Sequence, residues 1–289
     1  MKLFCFGFGY SAAHLAHRLA TRDIAVAGTK THLKDAIAQE AARLAVPIAL
    51  FGGDSRTKEV VDLLAGSTHV LVSIPPDLEG DVVLRHFSDD LASAGTLAWI
   101  GYLSTIGVYG DTQGRWVDED SPANPITERS MHRLVAERAW LDFGRRTGKR
   151  VEVFRLPGIY GPGRSVVDSL RAGTARRIVK PGQVFNRIHV EDIAQALDLA
   201  MTAAEHRDVY NICDDEPAPA QDVVAFAAEL LGVTPPPEIP FEKSGLGPGA
   251  ASFYGETKRV RNIRMKQVLG VKLAYPTYRE GIRSLVALR

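Results

Sequence analysis

The sequence predicts an α/β protein built on a doubly wound parallel sheet with a smaller C-terminal region, and three observations carry that expectation. Short apolar runs alternate with longer helical stretches through residues 1–165. The runs are nearly continuous in apolar residues, the pattern of strands covered on both faces. Glycine or proline closes each run, where a strand has to turn into a helix. Apolar residues at 45% and charged ones at 24% of 289 exclude wholesale disorder, and the chain is long enough to bury a core without staples. Lys+Arg 35 against Asp+Glu 34 leaves a charge of +1, so there is no general basic surface for nucleic acid or anionic membrane. No apolar stretch reaches the roughly 18 residues that a membrane span needs. The two cysteines, Cys5 and Cys213, are too few for a disulfide framework or a four-ligand zinc site. Both sit in apolar runs and read as buried, reduced thiols of a cytoplasmic protein. Lys2 and the apolar residues after it look superficially like a secretion signal, but Gly7 and Gly9 interrupt the run.

In chain order, strands are expected at 3–6, 24–27, 47–51, 69–74, 97–100 and 151–156. They end at Gly7, Gly28, Gly52-Gly53, Pro75-Pro76, Gly101 and Pro157-Gly158. Helices are expected at 12–21, 32–44, 58–65, 81–94 and 130–146; on the last, Met131, Leu134, Val135 and Leu141 read as a core-facing stripe. Right-handed crossovers between such units make the doubly wound architecture. After 165 the rhythm changes to a helix and loop at 166–183, a strand–helix unit at 184–204, a short strand at 209–213 and a helix at 220–231. A proline cluster at 235–237, a glycine-rich loop at 245–249 and helices at 257–269 and 278–288 follow. The chain therefore divides into a sheet domain, 1–165, to which it returns at about 187–213, and a small substrate-binding region, 166–289. That region is placed over the open end of the sheet, where ligands of such folds bind.

Gly7-Phe8-Gly9-Tyr10-Ser11-Ala12 fits G-x-G-x-x-G/A between the first strand and the first helix, the dinucleotide fingerprint of a Rossmann fold. Gly7 allows the tight turn, Gly9 lets the backbone approach a pyrophosphate, and Ala12 keeps helix and strand close. Tyr10, Ser11 and Ala12 open the helix whose N–H groups meet the anion. The second strand ends in Gly28-Thr29-Lys30-Thr31-His32 without a carboxylate for ribose hydroxyls. Thr29, Lys30 and Thr31 suit a 2′-phosphate, so NADP is expected rather than NAD; the bland alternative is that Lys30 is a solvated surface lysine. Asp54, after the third strand, reads either as an adenine contact or as a helix N-cap. Ser73, at the end of the fourth strand, is placed to meet the cofactor through its backbone.

Later motifs carry a family resemblance. Leu103-Ser104-Thr105-Ile106-Gly107-Val108-Tyr109-Gly110 resembles the S-S/T-x-x-V-Y-G segment of the extended short-chain dehydrogenase/reductases, the NAD(P)-dependent epimerase/dehydratase family. The loop from Trp116 to Pro125 is similar to the one that follows it there. Phe154-Arg155-Leu156-Pro157-Gly158-Ile159-Tyr160-Gly161-Pro162-Gly163 resembles R-x-x-x-x-Y-G-P-G, and Arg187-Ile188-His189-Val190-Glu191-Asp192-Ile193-Ala194 resembles I-H-V-x-D-x-A. Tyr210-Asn211 and the stretch from Leu269-Gly270 to Glu280-Gly281 match the C-terminal signatures. The resemblance implies that Thr105, with Ser104 beside it, binds the reacting oxygen, and that Pro157 and Gly158 border the nicotinamide. It also implies a homodimer through two-helix packing.

One part of the family pattern is missing. Aligning on Ala136-Glu137 puts the catalytic tyrosine of Tyr-x-x-x-Lys at Arg129 and its lysine at Arg133. Arginine stays protonated and cannot exchange that proton, although Arg133 can still give charge and hydrogen bonds to ribose or phosphate. The alternative for both arginines is solvation. His132 lies beside the displaced position and reads as structural; Tyr102, Tyr109, Tyr160 and His189 read as packing, ligand-binding or structural groups. Neither a metal-ligand cluster, a nucleophile elbow nor a phosphate loop of the G-x-x-x-x-G-K type is present. The expected function is an NADP-binding epimerase/dehydratase-like oxidoreductase for a small polar substrate, with nucleotide sugars among the candidates. Its rival is a non-catalytic NADP-binding redox sensor or regulatory protein.

Overall fold

The apolar runs of the sequence become the strands of one sheet. The structure, a computed structural model, describes residues 1–22 and 24–287. β1 (Lys2–Phe6) leads to α1 (Tyr10–Leu19), β2 (Ala25–Lys30) to α2 (Ala36–Arg43), β3 (Ile48–Leu50) to α3 (Lys58–Leu64) and β4 (His69–Val72) to α4 (Val82–Ser93). β5 (Trp99–Thr105) runs into a 3-10 turn (Ile106–Tyr109), then β6 (Trp116–Val117), α5 (Glu128–Thr147) and β7 (Arg150–Leu156). Beyond these lie β8 (Gly158–Tyr160), α6 (Val166–Arg171), β9 (Arg177–Val179), β10 (Arg187–His189), α7 (Val190–Thr202), β11 (Val209–Asn211) and α8 (Ala220–Leu231). The chain ends in β12 (Glu238–Pro240), α9 (Pro248–Ala251), β13 (Arg259–Val260), α10 (Ile263–Val268) and α11 (Tyr278–Ala287). Leu288, the last residue of the expected 278–288 helix, lies outside the described residues.

The seven-stranded sheet is parallel throughout in the order β11-β7-β5-β4-β1-β2-β3, so all C-terminal strand ends share one edge. The order reverses between β1 and β4, and ligands of doubly wound sheets bind at such a switch point. Leu15 and Leu19 of α1 meet Ile193 and Leu197 of α7 on one face. Val60, Phe87, Leu91, Trp140 and Phe143 fill the other. Two further strand pairs, β8 with β10 and β9 with β12, lie beyond the sheet edge and carry α6 and α8 beside them.

Two expectations are corrected. Met131 and Val135 do not face the core; they are 46% and 57% exposed. The buried face of α5 runs through Leu134, Glu137, Trp140, Phe143 and Gly144. A hydrophobic pattern rejects Glu137, and so rotates the helix, because the pattern cannot see its partner. Arg155 of β7 places its Nη2 2.7 Å from Glu137 Oε2, and Ser104 Oγ donates to Oε1 at 2.5 Å. The expected 257–269 helix starts only at Ile263, because the preceding segment is drawn into extended pairing. Arg259 N donates to Arg115 O at 3.1 Å and Arg261 N to Val117 O at 2.8 Å, joining β13 to β6.

Candidate cofactor and substrate site

The glycine loop after β1 is braced from both neighbouring strands. Gly7 N donates to the buried Thr29 hydroxyl at 2.9 Å, and Ser73 Oγ donates to Gly7 O at 2.5 Å. Gly7 has φ +87°, and a Cβ there would lie 2.7 Å from Ser73 Oγ, so glycine is required twice over. Gly9 differs: its φ of −101° is ordinary, and a Cβ there would meet nothing within 4 Å. Open space thus stands over the N-terminus of α1, which has no side-chain cap. The opening N–H groups of Tyr10, Ser11 and Ala12 are left for an anion, and the cradle fits a dinucleotide pyrophosphate. Tyr10 also ties this helix to the C-terminal region, donating from its hydroxyl to Pro162 O at 3.0 Å.

Several expected cofactor contacts turn out to be braces. Thr29 is fully buried with its hydroxyl taken by Gly7, so it shapes the loop and does not face a 2′-phosphate. Ser73 braces the same loop, its Oγ donating to Gly7 O and its N to Phe6 O at 2.9 Å. Lys30 is no solvated surface lysine: its Nζ lies 3.0 Å from Asp35 Oδ2 and 3.3 Å from Phe8 O, with the side chain 9% exposed. The Lys30 hydrogen bond, helped by Ala38 N, holds the Asp35 carboxyl below the usual range. Sequence reading missed Asp35, although an aspartate capping α2 is a legible N-cap signal. Thr31 is exposed. Asp54 is exposed as well and caps nothing, because Thr57 caps α3.

Along the same sheet edge, Thr105 pairs in register with Leu156, which brings it beside Pro157 and Gly158. Thr105 Oγ1 accepts from Gly107 N at 3.0 Å, leaving its hydroxyl hydrogen for a substrate oxygen. Ser104 is buried against Glu137 and is not available to substrate. Arg133 Nη1 donates to Leu103 O at 2.9 Å and to the Tyr102 hydroxyl at 3.2 Å, a cation held at the end of β5. Arg129 points elsewhere, its guanidinium 4.8 Å from the Phe253 ring centroid. Burial pushes the Tyr10 and Tyr109 hydroxyls up to about 12 and raises Tyr102 and Tyr160 further. These four side chains are therefore neutral phenols, none primed as the absent tyrosine would be.

Beyond Gly158 opens a cleft of about 660 Å³ formed by β8, β10, α6 and α8. Arg164, Arg176 and Arg187 line it, with Asp168 the one carboxylate among the described lining residues. Sequence reading named none of the three arginines as site residues, since their convergence depends on the β8–β10 pairing. His189 at the end of β10 lies 1% exposed between Tyr160 and Tyr275. Its Nδ1 accepts from Glu191 N at 3.2 Å, which puts the ring hydrogen on a buried Nε2 without a protein partner. Burial lowers its pKa from 6.5 to about 4. The unfolded chain therefore binds the extra proton first, and this group's stabilisation, full above pH 6.5, is lost progressively as pH falls from 6.5 towards 4. At pH 4.5 the loss should be about 2 kcal/mol. Urea unfolding of wild type and His189→Gln at pH 7 and 4.5 checks this, and an unchanged gap between them would refute it.

Comparison with known proteins agrees with the geometry. A model of the NAD dependent epimerase/dehydratase family matches residues 82–213. Protein YeeZ of Escherichia coli K12 is 30% identical over 293 residues, covering 95% of this chain and 96% of its own. A solved structure of a functionally unknown conserved protein from Silicibacter pomeroyi DSS is 45% identical with a TM-score of 0.89, over 99% of this chain and 98% of that one. The dTDP-glucose 4,6-dehydratase of Bacillus anthracis in complex with NAD shares the fold, with a TM-score of 0.79 at 16% identity over 99% and 96% of the two chains. Glycine loop, switch point and sequence likeness converge: the chain belongs to the NAD dependent epimerase/dehydratase family.

Proposed function

We propose that this protein is an NADP-dependent oxidoreductase of epimerase/dehydratase type acting on a small polar substrate. The open space over Gly9 at an uncapped helix N-terminus, on the sheet edge that also carries Thr105 and Gly158, supports the reading most directly. The nicotinamide, when bound, supplies or takes up the hydride. Thr105 orients the reacting oxygen through its free hydroxyl hydrogen. Arg133, fixed by Leu103 O, offers charge to ribose or phosphate, and the cleft beyond Gly158 receives the rest of the substrate. Lys30 and Lys34 against Asp35 leave a local positive excess at the end of β2, which favours a 2′-phosphate over a free hydroxyl.

Titration with NADPH and NADH tests the cofactor. NADPH should bind at least about tenfold tighter, roughly 1.4 kcal/mol. Equal or tighter NADH binding refutes the preference, and failure of both refutes the reading. For turnover, nucleotide sugars and simple carbonyl compounds form the panel, the former because a dTDP-glucose dehydratase shares the fold. With any substrate found, Thr105→Ala should cut kcat about a hundredfold with NADPH affinity within about twofold, the scale of losing one hydrogen-bond donor to a reacting oxygen. The buried free thiols Cys5 and Cys213 suit the reducing cytoplasm. Met131 and Val135, exposed one turn apart on α5, suit a homodimer built on that helix, and sedimentation should show Val135→Glu as a monomer.

A further inference from the structure

We infer that the substrate accepted by the cleft is an amphipathic organic acid whose carboxylate is held by Arg187. This rests on the reading that the cleft beyond Gly158 receives substrate. Arg187 pairs in register with Gly158, so its side chain belongs to the end of the cleft nearest the nicotinamide border. Its Nη1 donates to Phe185 O at 2.9 Å and Ala218 O at 3.0 Å, which fixes the guanidinium plane without neutralising it. No ion pair among the described residues uses Arg187, Arg164 or Arg176. Arg176 donates to Ser244 O, and Arg164 lies 5.7 Å over the Tyr10 ring.

Two carboxylates, Asp168 and Asp214, stand against the three guanidinium groups, which leaves an excess of positive charge. Asp168 keeps its charge and is oriented by Ser165, whose hydroxyl donates to it at 2.5 Å, and it forms no ion pair with the three arginines. Asp214 is buried near Arg187 without an ion-pair contact to it; burial raises its carboxyl well above the usual range, and the Arg187 charge acts against that rise. The remaining groups felt by Arg187 are the phenols Tyr160, Tyr254 and Tyr278. A desolvated guanidinium that no carboxylate meets in an ion pair is costly, and its planar fork matches a carboxylate in two parallel hydrogen bonds.

The walls determine the rest of the ligand. Ile159, Val166, Ile178, Val224 and Leu246 make an apolar lining. Tyr160, the one aromatic residue of that lining, is not free to stack a base: His189 lies 5.1 Å from its ring centroid, and a Cβ on Gly281 would sit 2.1 Å from its hydroxyl. With Tyr160 occupied, the cleft offers a nucleobase no aromatic stacking platform among its described lining residues. A volume of about 660 Å³ suits an acid with an aryl or alkyl body.

The experiment uses the protein saturated with NADPH and calorimetric titration with 3-phenylpropionate, its neutral amide, UDP and inorganic phosphate. The acid should bind, with the amide at least tenfold weaker. Arg187→Met should remove that preference while NADPH affinity stays within twofold, showing the fold intact. Ser169→Asp, which adds a negative charge to the cleft wall, should weaken the acid tenfold and leave the amide unchanged; it decides the matter if Arg187→Met does not fold. Equal binding of acid and amide, acid binding unaffected by either variant, or binding of UDP or phosphate in place of the acid overturns the inference. NADPH binding without acid binding overturns it alone, whereas loss of NADPH binding to wild type overturns the functional reading beneath it.

Discussion

Gly9→Asp is expected to weaken NADPH binding by at least about a hundredfold, or roughly 2.7 kcal/mol, while leaving the fold as stable as before or slightly more so. Gly9 caps α1 with extended backbone that any residue adopts, and its missing side chain faces open space. Aspartate is among the best N-cap residues, so the helix gains by the change. The same carboxylate puts negative charge where the pyrophosphate must approach the helix N-terminus. Gly7→Ala should show the opposite division, destabilising the protein by about 1–3 kcal/mol through its positive φ and its contact with Ser73. Fluorescence titration and thermal unfolding of both variants separate the two effects. NADPH binding to Gly9→Asp within threefold of wild type would remove the pyrophosphate site from α1.

The second large effect concerns stability. Glu137→Ala should cost about 3–5 kcal/mol, because it strands the buried Arg155 guanidinium. The two side chains are 2% and 7% exposed and meet at 2.7 Å, with Ser104 on the same carboxylate. Arg155 also lies 4.9 Å from the Tyr109 ring centroid, so α5, β7 and the turn after β5 depend on one cluster. A Glu137→Leu, Arg155→Met double variant should recover much of the loss, since paired buried charges replaced by apolar groups are often neutral. Urea unfolding provides the measurement, and a single-variant cost below 1 kcal/mol would contradict this account.

How legible the site was depended on where each residue's partners lie in the chain. The glycine loop could be read locally, since turn, close approach and helix entry all fall within Gly7 to Ala12. Thr105 was located by its motif, and the register with Leu156 explains why the motif lies beside Pro157. Ser104 and Thr29 were misassigned for one reason: a hydroxyl in a site motif can face substrate or brace the backbone, and only the partner across the sheet decides. Asp35 was overlooked because it fell inside the expected 32–44 helix, whereas α2 starts only at Ala36 and leaves Asp35 as its cap and as the partner of Lys30. Met131 and Val135 were turned inward because a buried glutamate broke the pattern used to orient the helix.

The sequence by itself determined the parallel α/β architecture, the glycine loop between β1 and α1, and that no Tyr-x-x-x-Lys occurs between Thr105 and Arg155. Each of these is written in adjacent residues: the length of an apolar run, the spacing of glycines, the presence of a phenol. The tertiary structure alone decided that Lys30 is paired, that Ser104 serves a buried ion pair, and that three arginines from separate segments converge on one cleft. Those facts depend on which side chains satisfy one another once water is removed. Desolvation makes partnership between distant residues the deciding energy, and local sequence does not encode that partner.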